Sequence, residues 1–197
     1  MSINIAIDGP AGAGKSTVAR RAAEKLGFIY VETGAIYRAN ALYLIRRGVA
    51  PEEKEAIAKE WAGADVSINS QNGEQVVSLN GENVNGLIRT DEVTRMSSAA
   101  SAVPAVRARL LDLQRGLAAQ HDVLMDGRDI ATVVLPGADL KIFLTASPEK
   151  RAERRWQELR ARGSGGSYEP VVAETLGRDK QDSERATAPP AVAAGGG

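Results

Sequence analysis

Near the start of the chain, Gly9-Pro10-Ala11-Gly12-Ala13-Gly14-Lys15-Ser16, followed by Thr17, carries the clearest chemistry. The spacing is that of a Walker A loop, and its neighbours supply the context such a loop needs: an apolar run before it and a helical pattern after it. Glycines let backbone amides turn inward around phosphate oxygens, and the helix N-terminus adds partial positive charge. Lys15 would then reach the β and γ phosphates, and Ser16 would offer a hydroxyl to magnesium. The residues from Gly9 to Thr17 are therefore expected to hold ATP as its Mg2+ complex.

Three further groupings are rich in charge. Arg128-Asp129 directly follows an apolar run ending at Asp126, which puts the pair at the carboxyl edge of a sheet, where open α/β folds bind ligands. A loop salt bridge is the other reading. Arg178, Asp182 and Arg185 are spaced i, i+4 and i+7 on one helical face, a pattern that also describes ordinary surface ion pairing. Arg151, Arg154, Arg155, Arg160 and Arg162 precede Gly163-Ser164-Gly165-Gly166, a pattern expected of a cationic lid on a flexible link. Glu149, Glu153 and Glu158 are close enough in sequence to make it instead an exposed helix of Arg–Glu pairs.

Composition narrows the possibilities. The 197 residues contain no cysteine and one histidine, His121, which removes disulfides, thiolate metal sites and histidine clusters. Lysine plus arginine equals aspartate plus glutamate at 25 each, and aromatic residues make up 4%, so neither a basic surface nor stacking platforms point to nucleic acid. Arginine outnumbers lysine 18 to 7, which favours bidentate recognition of an anionic ligand. No apolar run reaches the ~18 residues of a membrane span, and no signal-type segment opens the chain, so a cytoplasmic location is expected.

The elements that must position these residues follow from periodicity. Ile3 to Ile7 reads as a buried strand, Lys15 to Leu26 as a helix closed by Gly27, and Phe28 to Val31 as a strand, together a βαβ unit demanding a parallel sheet. Helices are expected from Ala35 to Arg47 and from Pro51 to Trp61. Between about 62 and 89, short apolar alternations separated by Asn72-Gly73 and Asn80-Gly81 predict an antiparallel β insert beside the main fold. Thr90 to Val103, Pro104 to Gln120, Ser147 to Arg162 and Glu169 to Arg185 read as helices, with Val123 to Met125 and Leu140 to Leu144 as buried strands. The Ala-, Pro- and Gly-rich end has nothing to bury and is expected to be disordered over 191–197.

Several of these segments resemble one family, the bacterial cytidylate kinases. The matching runs are Ile5 to Thr17 (IAIDGPAGAGKST), Glu32 to Ala39 (ETGAIYRA), Asp126 to Leu135 (DGRDIATVVL), Lys141 to Ser147 (KIFLTAS) and Arg178 to Pro189 (RDKQDSERATAP). The resemblance implies an α/β P-loop nucleoside monophosphate kinase fold, a parallel sheet flanked by helices with a β insert and a short helical lid. It implies a single kinase domain over 1–197: a core of 1–33, 104–147 and 168–190, an acceptor region of 34–103 and a lid of 148–167. The implied reaction moves the γ-phosphoryl group of MgATP to CMP or dCMP in a monomeric enzyme that binds small nucleotides rather than nucleic acid or membrane.

By the same resemblance, Lys15, Arg128, Asp129, Arg154 and Arg155 would act in catalysis. Thr33, Tyr37, Arg38, Ser98, Arg107, Arg128, Asp129, Arg178, Asp182 and Arg185 would hold the acceptor, with Ser98, Arg107 and Asp129 on the cytosine. Glu32 stands where the family usually has Asp, and Ala131 where it usually has Gly. The family also normally continues past the Ala-Pro segment into a strand and helix, so Leu140 to Leu144 is expected to present a free edge and donor seating to be weakened. Two alternatives stay open on residues alone: a P-loop kinase with another acceptor such as UMP or AMP, and a chain that binds nucleotide without turning it over.

Overall fold

The computed structural model describes residues 2–71, 74–161, 163 and 166–183. Its centre is a parallel sheet in the order β2-β6-β1-β7, made of β1 (Asn4–Asp8), β2 (Ile29–Glu32), β6 (Val123–Gly127) and β7 (Leu140–Phe143). In register, Asp8 lies beside Gly127 on one side and Phe143 on the other, and Glu32 lies beside Asp126. The carboxyl ends of these strands thus form one rim. β7 closes the order, and among the described residues it pairs on one side only, with Leu140 exposed.

Alternation along the strands splits the interior into two layers. Ile5, Ile7, Tyr30 and Leu124 pack against Ala19 and Ala23 of α1 (Lys15–Leu26), whose small residues allow close approach to the sheet. Ala6, Val31, Val123 and Met125 face the other way, into a larger core with α2 (Thr33–Arg46), α4 (Asp91–Ser101) and α5 (Pro104–Gln120). Gly27 ends α1 in the left-handed conformation, φ 70, its N–H reaching back to Ala23 and Glu24 carbonyls.

The β insert forms as expected, with β3 (Val66–Gln71), β4 (Glu74–Leu79) and β5 (Glu82–Asn83) antiparallel in that order. Asn80 and Gly81 turn at φ 49 and 82, the signs a tight hairpin turn needs; Asn72 and Gly73 lie outside the described residues. Val66, Ile68, Val77 and Leu79 share one continuous core with Leu44, Ile57 and Trp61, so the insert is packed into the main body rather than set beside it.

Element limits differ in several places. α2 begins at Thr33, directly after β2, not at Ala35. α3 (Lys54–Glu60) begins after Pro51, because the Glu53 carboxylate accepts from Ala50 N at 2.7 Å and holds a turn there; a 3-10 turn, Trp61–Gly63, ends it. Thr90 is the cap of α4 rather than its first residue, its hydroxyl accepting from Val93 N at 3.2 Å. After β6 the chain makes a short π-helical stretch, Ile130–Val134, which no sequence periodicity announces. α6 (Pro148–Ala161) and α7 (Tyr168–Ser183) complete the described chain. Arg162, Ser164, Gly165, Arg185 and the expected disordered tail lie outside the described residues. Among the described residues, no helix is long and apolar enough to cross a membrane.

Candidate active site

One continuous cleft of about 1070 Å³ opens along the rim formed by the strand ends. Its first wall is the loop between β1 and α1. Gly9 adopts φ 146, and a side-chain carbon there would collide with the carbonyl oxygen of Leu144, so only glycine lets β1 and the segment after β7 come so close. Gly12 and Gly14 take φ 74 and 95, turning the loop into α1, which opens on Gly14 with no side-chain cap. The opening amides of that helix are thereby left for an anion. Lys15 is buried, and its Nζ donates to Pro10 O at 2.8 Å across the mouth of the loop.

Beneath the loop, Asp126 at the end of β6 organises a small polar cluster. Ser16 Oγ donates to Asp126 Oδ2 at 2.7 Å and Tyr30 Oη donates to Asp126 Oδ1 at 3.2 Å. Burial pushes the Asp126 carboxyl above its ordinary range, opposed by the hydrogen bond from Ser16. The same burial, with Asp126 close by, pushes the Tyr30 phenol up, so it remains a donor. Thr33 Oγ1 closes the cluster by donating to Asp126 O at 2.8 Å.

The Arg128-Asp129 loop is tied down from below. Asp8, almost fully buried, accepts from the amides of Ile130 and Ala131 at 2.8 Å each, fixing the turn just after Asp129. Ala131, where the resemblance leads one to expect Gly, is buried there without a positive φ. Arg128 Nη1 donates to Gly9 O at 3.2 Å, joining this loop to the first wall. Asp129 pairs with Arg107 of α5, and both are buried. A paired carboxylate and guanidinium presented together can accept from an amino group and donate to a ring acceptor on one ligand edge.

The opposite wall is built from side chains that are remote in sequence. Glu32 accepts from Arg38 at 3.2 Å and from Arg89 at 2.6 Å. Burial would raise the Glu32 carboxyl, but the hydrogen bond and charge of Arg89, with Arg38, hold it below its ordinary range. Tyr37, Ser98 and Arg178 also line this side. Above it, Arg154 Nη1 donates to Gly12 O and Ala13 O at 3.3 and 3.1 Å, while Arg155 sits 3.6 Å from Asp91 and 3.8 Å from Glu158. Among the described residues the buried Nε of Arg155 has no partner.

Most of the residues expected from sequence therefore meet in this cleft: Ala11 to Thr17, Thr33, Tyr37, Arg38, Ser98, Arg107, Arg128, Asp129, Arg154, Arg155 and Arg178. Gly9 and Pro10 shape the loop from outside the cleft walls. Asp182 is in α7 but its side chain is not among those described, and Arg185 lies outside the described residues. The arginine cluster expected to form a lid divides. Arg151 is buried, bonded to Asp179, Ala146 O and Ala11 O, and so braces the first wall against α7. Arg160 stacks on the Trp156 ring at 4.9 Å. Asp126, Arg89, Ser97 and Ser101 join the cleft without having been assigned to it, and Glu32, noted only for standing where the resemblance leads one to expect Asp, lines it too. Asp126 had a usable signal, as the polar end of a buried strand beside the P-loop strand; Arg89 had none, because only the fold of the insert brings it to Glu32.

Comparison with known proteins agrees with this geometry. The cytidylate kinase family model matches residues 5–196. A cytidylate kinase of Pelotomaculum thermopropionicum is 50% identical over 187 residues, covering 94% of this chain and 83% of the relative. Those of Mycobacterium leprae and Caldicellulosiruptor bescii are 49% and 46% identical, each covering 97% of this chain and 84% of the relative. With a P-loop, a buried Arg107–Asp129 pair and an arginine-rich wall on one cleft, the chain belongs to the cytidylate kinase family.

Proposed function

We propose that this enzyme, a nucleotide-binding phosphotransferase by family, transfers the γ-phosphoryl group of ATP to CMP and dCMP, giving ADP with CDP or dCDP. The observation that carries this reading is the shared cleft: phosphate-binding loop on one wall, Arg107–Asp129 and the acceptor arginines on the other. The acceptor phosphate is already anionic at neutral pH, so no covalent enzyme intermediate is needed. An acceptor phosphate oxygen attacks Pγ as the bond from Pγ to the β,γ-bridging oxygen breaks. Catalysis is then alignment plus stabilisation of spread negative charge.

In this reading Gly12 to Thr17 hold the donor phosphates, and Lys15 exchanges its bond to Pro10 O for the β and γ oxygens. Arg128, Arg154 and Arg155 face the transferred group. Arg38 and Arg178, with Asp182 and Arg185, hold the acceptor phosphate and ribose, beside Thr33 and Tyr37. Ser98 and Asp129 accept from the cytosine amino group while Arg107 donates to the ring, a pattern uracil cannot satisfy. Ser16 and Asp126 offer a hydroxyl and a carboxylate, hard oxygen donors that suit Mg2+. Ser16 and Asp126 would hold the ion beside the donor phosphates, where its positive charge would offset theirs.

We place the active form as a cytoplasmic monomer with the core, acceptor region and lid divided as the sequence suggests. The test is ADP formation from MgATP with CMP, dCMP, UMP, AMP and GMP offered separately. Fast turnover of CMP and dCMP alone is the expected result, and equal or faster turnover of UMP or AMP rejects the reading. Binding of ATP and CMP without product would instead favour a nucleotide-binding protein without turnover.

A further inference from the structure

Among the described residues β2 is the last strand on its side of the parallel sheet, and no strand pairs with the backbone groups on its outer edge. At its final residue, Glu32, that edge is occupied by a side chain from the β insert. The amide of Gln75 on β4 makes both bonds a neighbouring strand would make: Glu32 N donates to Gln75 Oε1 at 2.6 Å, and Gln75 Nε2 donates to Glu32 O at 3.4 Å. Gln75 is itself held, because Asn85 Nδ2 donates to Gln75 O at 2.7 Å while Asn85 Oδ1 accepts from Val77 N at 2.9 Å.

What this amide fixes is the residue that organises the acceptor wall. The Glu32 carboxylate, only 12% exposed, pairs with Arg38 on α2 and with Arg89 at the end of the insert. Thr33, the next residue, bonds Asp126 O. A carboxylate with two guanidiniums sets where each one waits for an anion, and its own place is set by its backbone. The extra methylene of Glu over Asp lengthens the reach of that carboxylate and makes its anchoring matter more.

We propose that Gln75 is a positioning residue for the acceptor: its amide pins Glu32 at the open edge of β2, and Glu32 in turn sets Arg38 and Arg89 for the incoming monophosphate. The inference rests on the acceptor reading above and deepens it, by making the β insert part of acceptor binding through one side chain. The bonds of the Gln75 amide run to Glu32 on the acceptor side of the cleft, so the effect of removing it is expected on the acceptor rather than on the donor.

The test is steady-state kinetics of the full chain with MgATP and CMP for the wild type, Gln75→Leu, Glu32→Gln and the double variant. Loss of the amide bonds, at about 1 kcal/mol, raises KM for CMP about fivefold in Gln75→Leu. KM for ATP and kcat stay within about twofold. In the Glu32→Gln background the same leucine adds less than about twofold, because both act through one contact. Val77→Ala, a buried insert residue, controls for general loosening of the insert: at a matched loss of Tm it leaves KM for CMP lower than in Gln75→Leu. An unchanged KM for CMP in Gln75→Leu overturns the inference, as does full additivity with Glu32→Gln or an equal rise in Val77→Ala. If the wild type forms no CDP, the acceptor reading fails first; if it does and Gln75→Leu matches it, only the role of Gln75 fails.

Discussion

The P-loop wall is one continuous stretch of chain, Ala11 to Val18, shaped by local turns, whereas the wall proposed for the acceptor is made of side chains brought together from positions 32, 38, 89, 107 and 129. Gly9, Gly12 and Gly14 fix the first wall within six residues of chain, and Arg151 and Arg154 brace it by bonding its carbonyls. The second wall exists only once α2, the insert, α5 and the loop after β6 have packed. A phosphate chain common to all nucleoside triphosphates calls for the first kind of construction. Choosing one base among several calls for the second, where paired polar groups are left unsatisfied by the wrong ligand.

The contrast can be broken most severely at Lys15. Lys15→Ala removes the one lysine on the P-loop and is expected to lower kcat by about 10³-fold or more, with the melting temperature little changed. Retained turnover would remove Lys15 from the mechanism. Arg107→Ala leaves Asp129 buried without its guanidinium, and kcat/KM for CMP should fall about 10²-fold while KM for ATP moves little. A comparable rise in KM for ATP would show that the two walls are not separable. Gly9→Ala forces the segment at Leu144 away from β1, so thermal unfolding should shift down by about 5 °C or more.

Smaller effects sharpen the boundary between the walls. Tyr30→Phe deletes one hydrogen bond to Asp126 and keeps the ring, so titration of activity against Mg2+ should require about two- to fivefold more metal, with KM for CMP unchanged. Glu32 tests the acceptor wall through pH. Its pKa is lowered in the folded chain from an ordinary 4.5, so the unfolded state binds the proton more readily. The stability Glu32 adds is therefore present above that ordinary value and is lost as pH falls through the lower, folded value. The Tm difference between wild type and Glu32→Gln should be largest near neutrality, at about 2–4 °C, and shrink once pH falls below the ordinary 4.5 of a glutamate, toward zero below the lower, folded value.

The same contrast explains what could be read from residues alone. Gly9 to Ser16 declares itself because its spacing and its turn conformation are one local property, and the βαβ unit around it follows from a short apolar strand before it and apolar residues at helical spacing after it. The β insert was legible through Asn-Gly turns and alternation, yet its shared core with Leu44 and Trp61 was not, since periodicity says which face is buried and not what covers it. The Ile130–Val134 stretch escaped because its form is imposed by Asp8, more than a hundred residues earlier. Arg151 and Arg154 look alike in sequence, but burial against Asp179 turns one into a brace while the other lies over the P-loop. Ser98 and Arg107 line the cleft, but the acceptor role expected of them comes from resemblance alone, neither having a local signal of its own.

The central claim is that the Arg107–Asp129 pair, with Ser98, reads cytosine on the acceptor wall. The most direct measurement is the ratio of kcat/KM for CMP to that for UMP, determined side by side in the wild type and in Asp129→Asn. The wild type should prefer CMP by about 10³-fold or more, and Asp129→Asn, whose amide can donate as well as accept, should bring the ratio down by at least about tenfold. A wild type that uses UMP as well as CMP, or a ratio unchanged by the substitution, would contradict it.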